Sequence, residues 1–386
     1  MKDYPTAFTN NIIMGLALLF FANSVFAQQP CNDEMLMSVK GKWLKKSDAN
    51  MKTGNQAQIT NRIDKMQQLL QTAYPEPKGI EAAWYRSMGG NYSAISNGSA
   101  AYELNASFKT YYCNIHLNKL MPGTETGNWF NIWANKFKWF AEADEKFLVE
   151  NKPVYLLTQK MGELNGFPLY GGNNNGTSNT GPTFSKTILI SRPGQLPFIP
   201  VSRKQYLSTL LKNKEDWQNK YVASLLKNPV RSDAEEEAYK KQQMDRAVNN
   251  KGYDEKVMEK AKTNFLRGYK SEKQRQQDDI NKSKEVYVRD IKTAQNYLIN
   301  TSAEELDKSA YMENTSYASY FIRFAKENEG RMMVHVNNNY FNNQLPAHAP
   351  QFLVVYWSWN NEKPSLDFAN HIDNFNFKAL QAMLDK

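Results

Sequence analysis

The chain has 386 residues, 41% of them hydrophobic and 23% charged, with a formal net charge of +9. That balance is ordinary for a globular protein with buried cores and excludes disorder over the whole length. Two cysteines exclude a closed zinc site built on thiolates alone, which wants four ligands, and the length allows two or three domains.

The apolar run Ile12–Phe21 is followed by Ala22-Asn23-Ser24-Val25-Phe26-Ala27, with small or branched residues one and three positions before Gln28. This is a signal-peptidase pattern, so residues 1–27 are expected to be a cleavable signal peptide and the mature chain to be secreted or periplasmic. The apolar stretch is short for a ~30 Å hydrocarbon core, and no later stretch approaches one, so no membrane span is expected after cleavage. Cys31 does not read as a lipid-modified cysteine, because Gln28-Gln29-Pro30 stand before it. In an exported chain its simplest partner is Cys113. A bridge over that loop stabilises by roughly 4 to 5 kcal/mol in the chain-entropy model.

Residues 28–202 read as an α+β domain. Ile59, Ile63, Met66, Leu69, Leu70 and Ala73 form one helical stripe that stops before Pro75 and Pro77. Strands are expected at 80–88, 102–117, 128–141, 153–161, 186–191 and 196–201, with turns at Asn165-Gly166 and Arg192–Gln195. One helix followed by consecutive short strands favours an antiparallel sheet with a helix across one face. The run Gly171–Pro182, rich in Gly, Asn and Thr, reads as a loop.

Residues 203–301 read as a basic helical segment, an antiparallel hairpin. Ser202-Arg203-Lys204-Gln205 has capping-box spacing before the stripe Tyr206, Leu207, Leu210, Leu211, Trp217, Tyr221, Leu225 and Leu226, which Pro229 ends. Residues 203–300 hold 22 Lys or Arg against 15 Asp or Glu, +7 of the +9. Such a surface could meet acidic envelope polymers, but interspersed acids describe a solvated helix face better, and nucleic acid is not the expected partner. Val257, Ala261, Phe265 and Tyr269 keep one narrow face, and Ile280, Tyr287, Ile291, Ala294 and Leu298 another. Ser271 to Asp279 interrupts the stripe and reads as a tip or turn.

Residues 302–386 return to strands and end in a helix, as parts of a sheet shared with the first section. Ser302-Ala303-Glu304-Glu305 has capping-box spacing; Tyr320–Ala325 and Arg331–Val336 read as a hairpin. Phe352 to Trp359 is apolar on both parities and should sit centrally in a covered sheet. Phe377, Leu380, Met383 and Leu384 mark the last helix. The fold class is therefore α+β: antiparallel sheets with a packed helix, interrupted by a long charged helical insertion.

Catalytic signatures are scarce. His116, His335, His348 and His371 lie far apart and none belongs to a His-Glu-x-x-His pair. Nucleophile elbows, phosphate loops and dinucleotide fingerprints do not occur, and no cofactor or metal is expected. Ser224-x-x-Lys227 has the spacing of a serine-lysine enzyme but ends a helix where it should begin one. Glu142, Asp144 and Glu145 supply carboxylates of the type glycoside cleavage needs. The positive signal is aromatic density: Trp129, Phe130, Trp133, Phe137, Trp139 and Phe140 fall within a dozen positions. Trp129, Trp133 and Trp139 are the candidate platform for stacking on sugar rings, against the plainer reading that they fill a core. The expected function is a non-enzymatic binding or scaffold protein of the cell envelope, with an envelope polysaccharide or another exported protein as partner. A carbohydrate-active hydrolase with paired carboxylates, and a periplasmic chaperone-like protein with helical arms, are the alternatives.

Overall fold

In the computed structural model the described residues run from Asp33 to Lys386, apart from 52–54, 89–94, 96–97, 115, 118, 124–126, 139, 179–180, 249–253, 314–322 and 328; for 33, 142–147, 172–178 and 181–182 only the backbone path is described. The expected signal peptide, Cys31 and Trp139 thus lie outside the described residues. In chain order the elements are α1 (Asp33–Ser38), β1 (Trp43–Lys45), α2 (Gln56–Ala73), β2 (Ile80–Met88), β3 (Tyr102–Asn114), β4 (Lys119–Pro122) and β5 (Asn128–Ala134). Then come β6 (Ala141–Val149), β7 (Lys152–Leu157), β8 (Lys160–Leu164), β9 (Phe167–Ser178), β10 (Gly181–Ile190) and β11 (Phe198–Pro200). Four helices follow, α3 (Arg203–Lys227), α4 (Asp233–Val248), α5 (Glu255–Gly268) and α6 (Glu272–Asn300). The chain closes with α7 (Ala303–Asp307), β12 (Tyr311–Met312), β13 (Arg331–Val336), β14 (Leu353–Asn360), α8 (Lys363–Asp373) and α9 (Phe377–Gln381). The fold is α+β, and among the described residues no helix is long and apolar enough to cross a membrane.

Contacts group the chain into two units, residues 1–140, 161–195 and 341–386 in one and residues 141–160 and 196–340 in the other. This division places 141–160 and 196–202 with the helices, and splits the C-terminal strands between the two units.

The first unit is built on a nine-stranded sheet of order β1-β2-β3-β5-β14-β10-β9-β8, with β4 paired to β3. β1 runs parallel to β2, and β2, β3, β5, β14, β10 and β9 are antiparallel in turn. The central place of β14 follows from its two apolar parities. One face of the sheet is the core. Ile59, Ile63, Met66 and Leu70 of α2, one turn apart, lie against Ala82, Leu104 and Phe108, all fully buried. Over the centre, α8 and α9 bring Phe368 to 4.2 Å from Phe108, Phe375 to 5.4 Å from Phe130 and Phe377 to 6.0 Å from Trp357, measured between ring centroids. Gly41 has no room for a side chain: a Cβ there would sit 1.7 Å from the Ile80 carbonyl oxygen.

Two local features depart from the sequence pattern. The Gly171–Pro182 run is no simple loop, because β9 continues to Ser178 and β10 starts at Gly181. A ladder made by main-chain amides and carbonyls does not need apolar side chains when the strands are already aligned by Tyr170 opposite Thr187 and Leu169 opposite Ile188. The expected 128–141 strand breaks at Asn135, whose φ of 60° takes the chain out of the sheet; asparagine tolerates that left-handed conformation better than most residues.

The second unit has a five-stranded sheet of order β11-β13-β7-β6, with β12 on β13. Val149, Val154, Val201, Leu207, Ala294 and Ala310 form its core, so the first turns of α3 and the last of α6 are anchored on the strands. α3 and α6 run antiparallel, because Lys214 meets Asp290, Gln218 meets Ser283 and the Leu225 carbonyl meets Gln276. At 25 and 29 residues, they are about 38 and 44 Å long. Ser202 and Ser271 both form full capping boxes. The second shows why the polar Ser271–Asp279 stretch is not a turn: Ser271 and Gln274 satisfy the first backbone amides and start α6 there. The shorter pair α4 and α5 fills the interval between α3 and α6, and α5 buries none of its residues.

Candidate functional site

The second face of the nine-stranded sheet is polar, yet much of it is buried. On β3, Glu103, Asn105 and Ser107 alternate with the core residues Leu104, Ala106 and Phe108. Strand register extends this alternation sideways. One row runs Tyr85, Asn105, Asn131, Tyr356, Thr187 and Tyr170 across β2, β3, β5, β14, β10 and β9. The next runs Ala83, Ser107, Trp129, Ser358 and Ser185. Asn105, Ser107, Asn131, Thr187 and Ser358 are all buried. Burying amides and hydroxyls is unfavourable without partners, so a sheet face of this composition calls for hydrogen-bonding company.

An ion pair lies at one end of this face. Lys136 Nζ is 2.7 Å from Glu103 Oε2, with the two side chains 3% and 9% exposed, and Lys138 Nζ is 3.8 Å from the same oxygen. The turn at Asn135 sets this up: its side chain accepts from Gln351 N (2.8 Å) and donates to the carbonyls of Ala100 (2.9 Å) and Ala349 (3.3 Å). That clamp fixes where Lys136 leaves the strand. Burial pushes the Glu103 carboxyl up, but the charges of Lys136 and Lys138 and the Asn105 amide outweigh it and hold the group below the ordinary carboxylate range. Burial dominates at Lys136 and lowers its ammonium, and it raises the Tyr85 phenol, with Glu103 adding to the effect. Tyr356 is raised by burial as well, although Ser358 and Ser185 hydrogen-bond to it.

Trp133 joins the charged end to the polar rows. It lies opposite Glu103 in the register, its ring centroid is 5.8 Å from that of Tyr356, and Lys138 Nζ is 5.7 Å from its ring. Its indole nitrogen is buried without a hydrogen-bond partner. Asn105 Nδ2 likewise makes no hydrogen bond of normal geometry, although it is near enough to Glu103 to favour the charged carboxylate.

The three sequence candidates are placed differently. Trp129 and Trp133 share this face of β5, with Trp129 37% exposed and Trp133 1% exposed. Trp139 is outside the described residues. Phe130, Phe137 and Phe140 are packed: Phe137 lies 4.9 Å from Phe352 and Phe140 4.7 Å from Tyr170. Glu103, Asn105, Lys136 and Tyr356 were not read from sequence as site residues, although the two-residue alternation of β3 carried the signal for Glu103 and Asn105. Asn105 also belongs to an Asn-x-Ser sequon, and its burial in a strand removes it from the surface.

Other candidates carry less. Ser224 donates its hydroxyl hydrogen to the Tyr221 carbonyl at 2.7 Å, which ties it to the helix backbone and leaves no serine-lysine pair. Glu142, Asp144 and Glu145 lie on β6, where only the backbone is described. Among the described residues no group of three or more His, Cys, Asp or Glu could hold a metal ion. A groove of about 800 Å³ beside α4 is lined by Val230, Arg231, Tyr239 and Glu272. Its charges are spent on each other: Arg231 lies 3.8 Å over the Tyr239 ring and 3.5 and 3.6 Å from Glu236 and Glu272.

No protein-family model, no curated protein and no solved structure compared with the chain matches it.

Proposed function

We propose that the chain is an exported, non-enzymatic binding protein of the cell envelope and that the polar face of its nine-stranded sheet holds a polyhydroxylated ligand of the polysaccharide type. The observation that carries this reading is the polar row from Tyr85 to Thr187, in which Asn105, Asn131 and Thr187 are buried, with the unpartnered Trp133 indole and Asn105 amide nitrogens at it. Sugars present alternating donors and acceptors around an apolar ring face, which such a row and an aromatic edge at Trp129 would meet. Against hydrolysis, the one described carboxylate at this end, Glu103, is charged and paired, whereas a general acid needs a raised pKa.

Co-sedimentation of the mature protein with isolated envelope polysaccharide tests it. Trp129→Ala is expected to weaken retention by about 3- to 10-fold, while Lys220→Gln with Lys227→Gln, on the exposed surface of α3, leaves it unchanged. Retention that follows the α3 lysines and vanishes in salt contradicts the sheet-face reading, as does failure to bind any polysaccharide. The Cys31–Cys113 bridge belongs to the same exported reading. Intact mass spectrometry should show the protein gaining two hydrogens on reduction, and an unchanged mass rules the bridge out.

A further inference from the structure

Resting on the polar-face reading, we propose that the saccharide is uncharged where it meets Glu103, Asn105 and Trp133, and that these three side chains share one of its hydroxyl groups. Their open valences are of both senses. Trp133 Nε1 and Asn105 Nδ2 are donors and Glu103 Oε2 is an acceptor. None of the three makes a hydrogen bond of normal geometry, although Lys136 Nζ lies 2.7 Å from Oε2. All three residues are more than nine-tenths buried.

Register brings them together. Trp133 is directly opposite Glu103, and Asn105 is two residues further along β3 on the same face, so the indole is beside one and diagonal to the other. The valences then select the ligand group. A hydroxyl oxygen has two lone pairs and one hydrogen. It can accept from the indole and the amide together and donate to Oε2, so one group meets all three. An ionised carboxylate accepts from both nitrogens but has no hydrogen for Oε2, and it sets a second negative charge beside Glu103. An N-acetyl carbonyl likewise accepts without donating. Water has the valences of a hydroxyl, so a sugar that displaces a water here reproduces its hydrogen bonds.

The test is titration calorimetry with fragments of the polysaccharide that sediments with the protein, as prepared and after chemical reduction of their carboxyl groups to alcohols. Circular dichroism checks that each variant is folded. Trp133→Phe, which keeps a ring and removes the N–H, and Asn105→Leu should each weaken binding by about 3- to 10-fold. The same loss is expected with the reduced fragments, because the shared group is a hydroxyl in both preparations. A loss that disappears on carboxyl reduction places an acid group at these side chains and overturns the inference. Affinities that neither substitution changes overturn it too: the three valences then belong to a buried water, and the polar-face reading rests on Trp129. If the fragments fail to bind the unsubstituted protein, both readings fall together.

Discussion

Replacing Asp290 with alanine will destabilise the second unit by about 3–5 kcal/mol, the cost of removing one member of a buried ion pair. Lys214 and Asp290 face each other across α3 and α6 at 2.9 Å and are 3% and 1% exposed. Arg289 reaches Asp290 Oδ1 at 3.3 Å, but its own side chain is mostly in water and cannot follow Lys214 into the interface. The pair is not expected to be a net source of stability. The double variant Lys214→Met with Asp290→Leu should recover most of the loss or exceed the parent, because apolar residues of similar volume avoid the desolvation. What the pair supplies is register: it admits one alignment of two long helices whose apolar seam is thin. Denaturant midpoints of the three proteins check this. A loss below about 1 kcal/mol for Asp290→Ala shows a solvated pair and contradicts the account.

Glu103→Gln will have a similar cost in the first unit, about 3–5 kcal/mol, because it strands Lys136 in the sheet face at 2% exposure. It also changes how stability depends on pH. The folded carboxyl lies below its ordinary value, so the unfolded chain takes up this proton first on acidification. The stabilisation it supplies is complete above the unfolded value of about 4.3 and is lost as pH falls through the lower folded value. Thermal unfolding across that acid window should fall less steeply in Glu103→Gln than in the parent. Identical slopes mean that the Glu103 carboxyl titrates alike in folded and unfolded chains.

Much of the fold is legible in the residues, and for a definite reason. The α2 stripe, the doubly apolar β14 and the alternation along β2 and β3 are local patterns whose periods differ, so each names its element and its buried face. The order of strands is not local: β14 enters between β5 and β10 after more than 160 further residues. No short-range signal carries that. The helical insertion shows the opposite limit. Loss of the apolar stripe at Ser271–Asp279 looks like a turn, but helix formation there depends on the capping box and not on burial.

The site was hidden by a similar ambiguity. Dense aromatic residues in β5 draw attention to the tryptophans, yet Phe130 serves the core, Trp133 is buried on the polar face and only Trp129 of the described pair reaches solvent. The residues that give the face its chemistry, Glu103, Asn105, Asn131, Tyr356 and Thr187, come from four strands distant in sequence. They become one surface through register alone.

The most direct measurement follows the indole N–H signals of the isotope-labelled mature protein by two-dimensional NMR during titration with an oligosaccharide prepared from the envelope polysaccharide. Trp133 and Trp129 report the polar sheet face, and Trp217 reports α3. The account predicts that the first two shift with ligand, Trp133 most strongly as its unpartnered N–H gains an acceptor, while Trp217 stays in place. Movement of Trp217 with Trp129 and Trp133 unaffected would contradict it and assign binding to the helices.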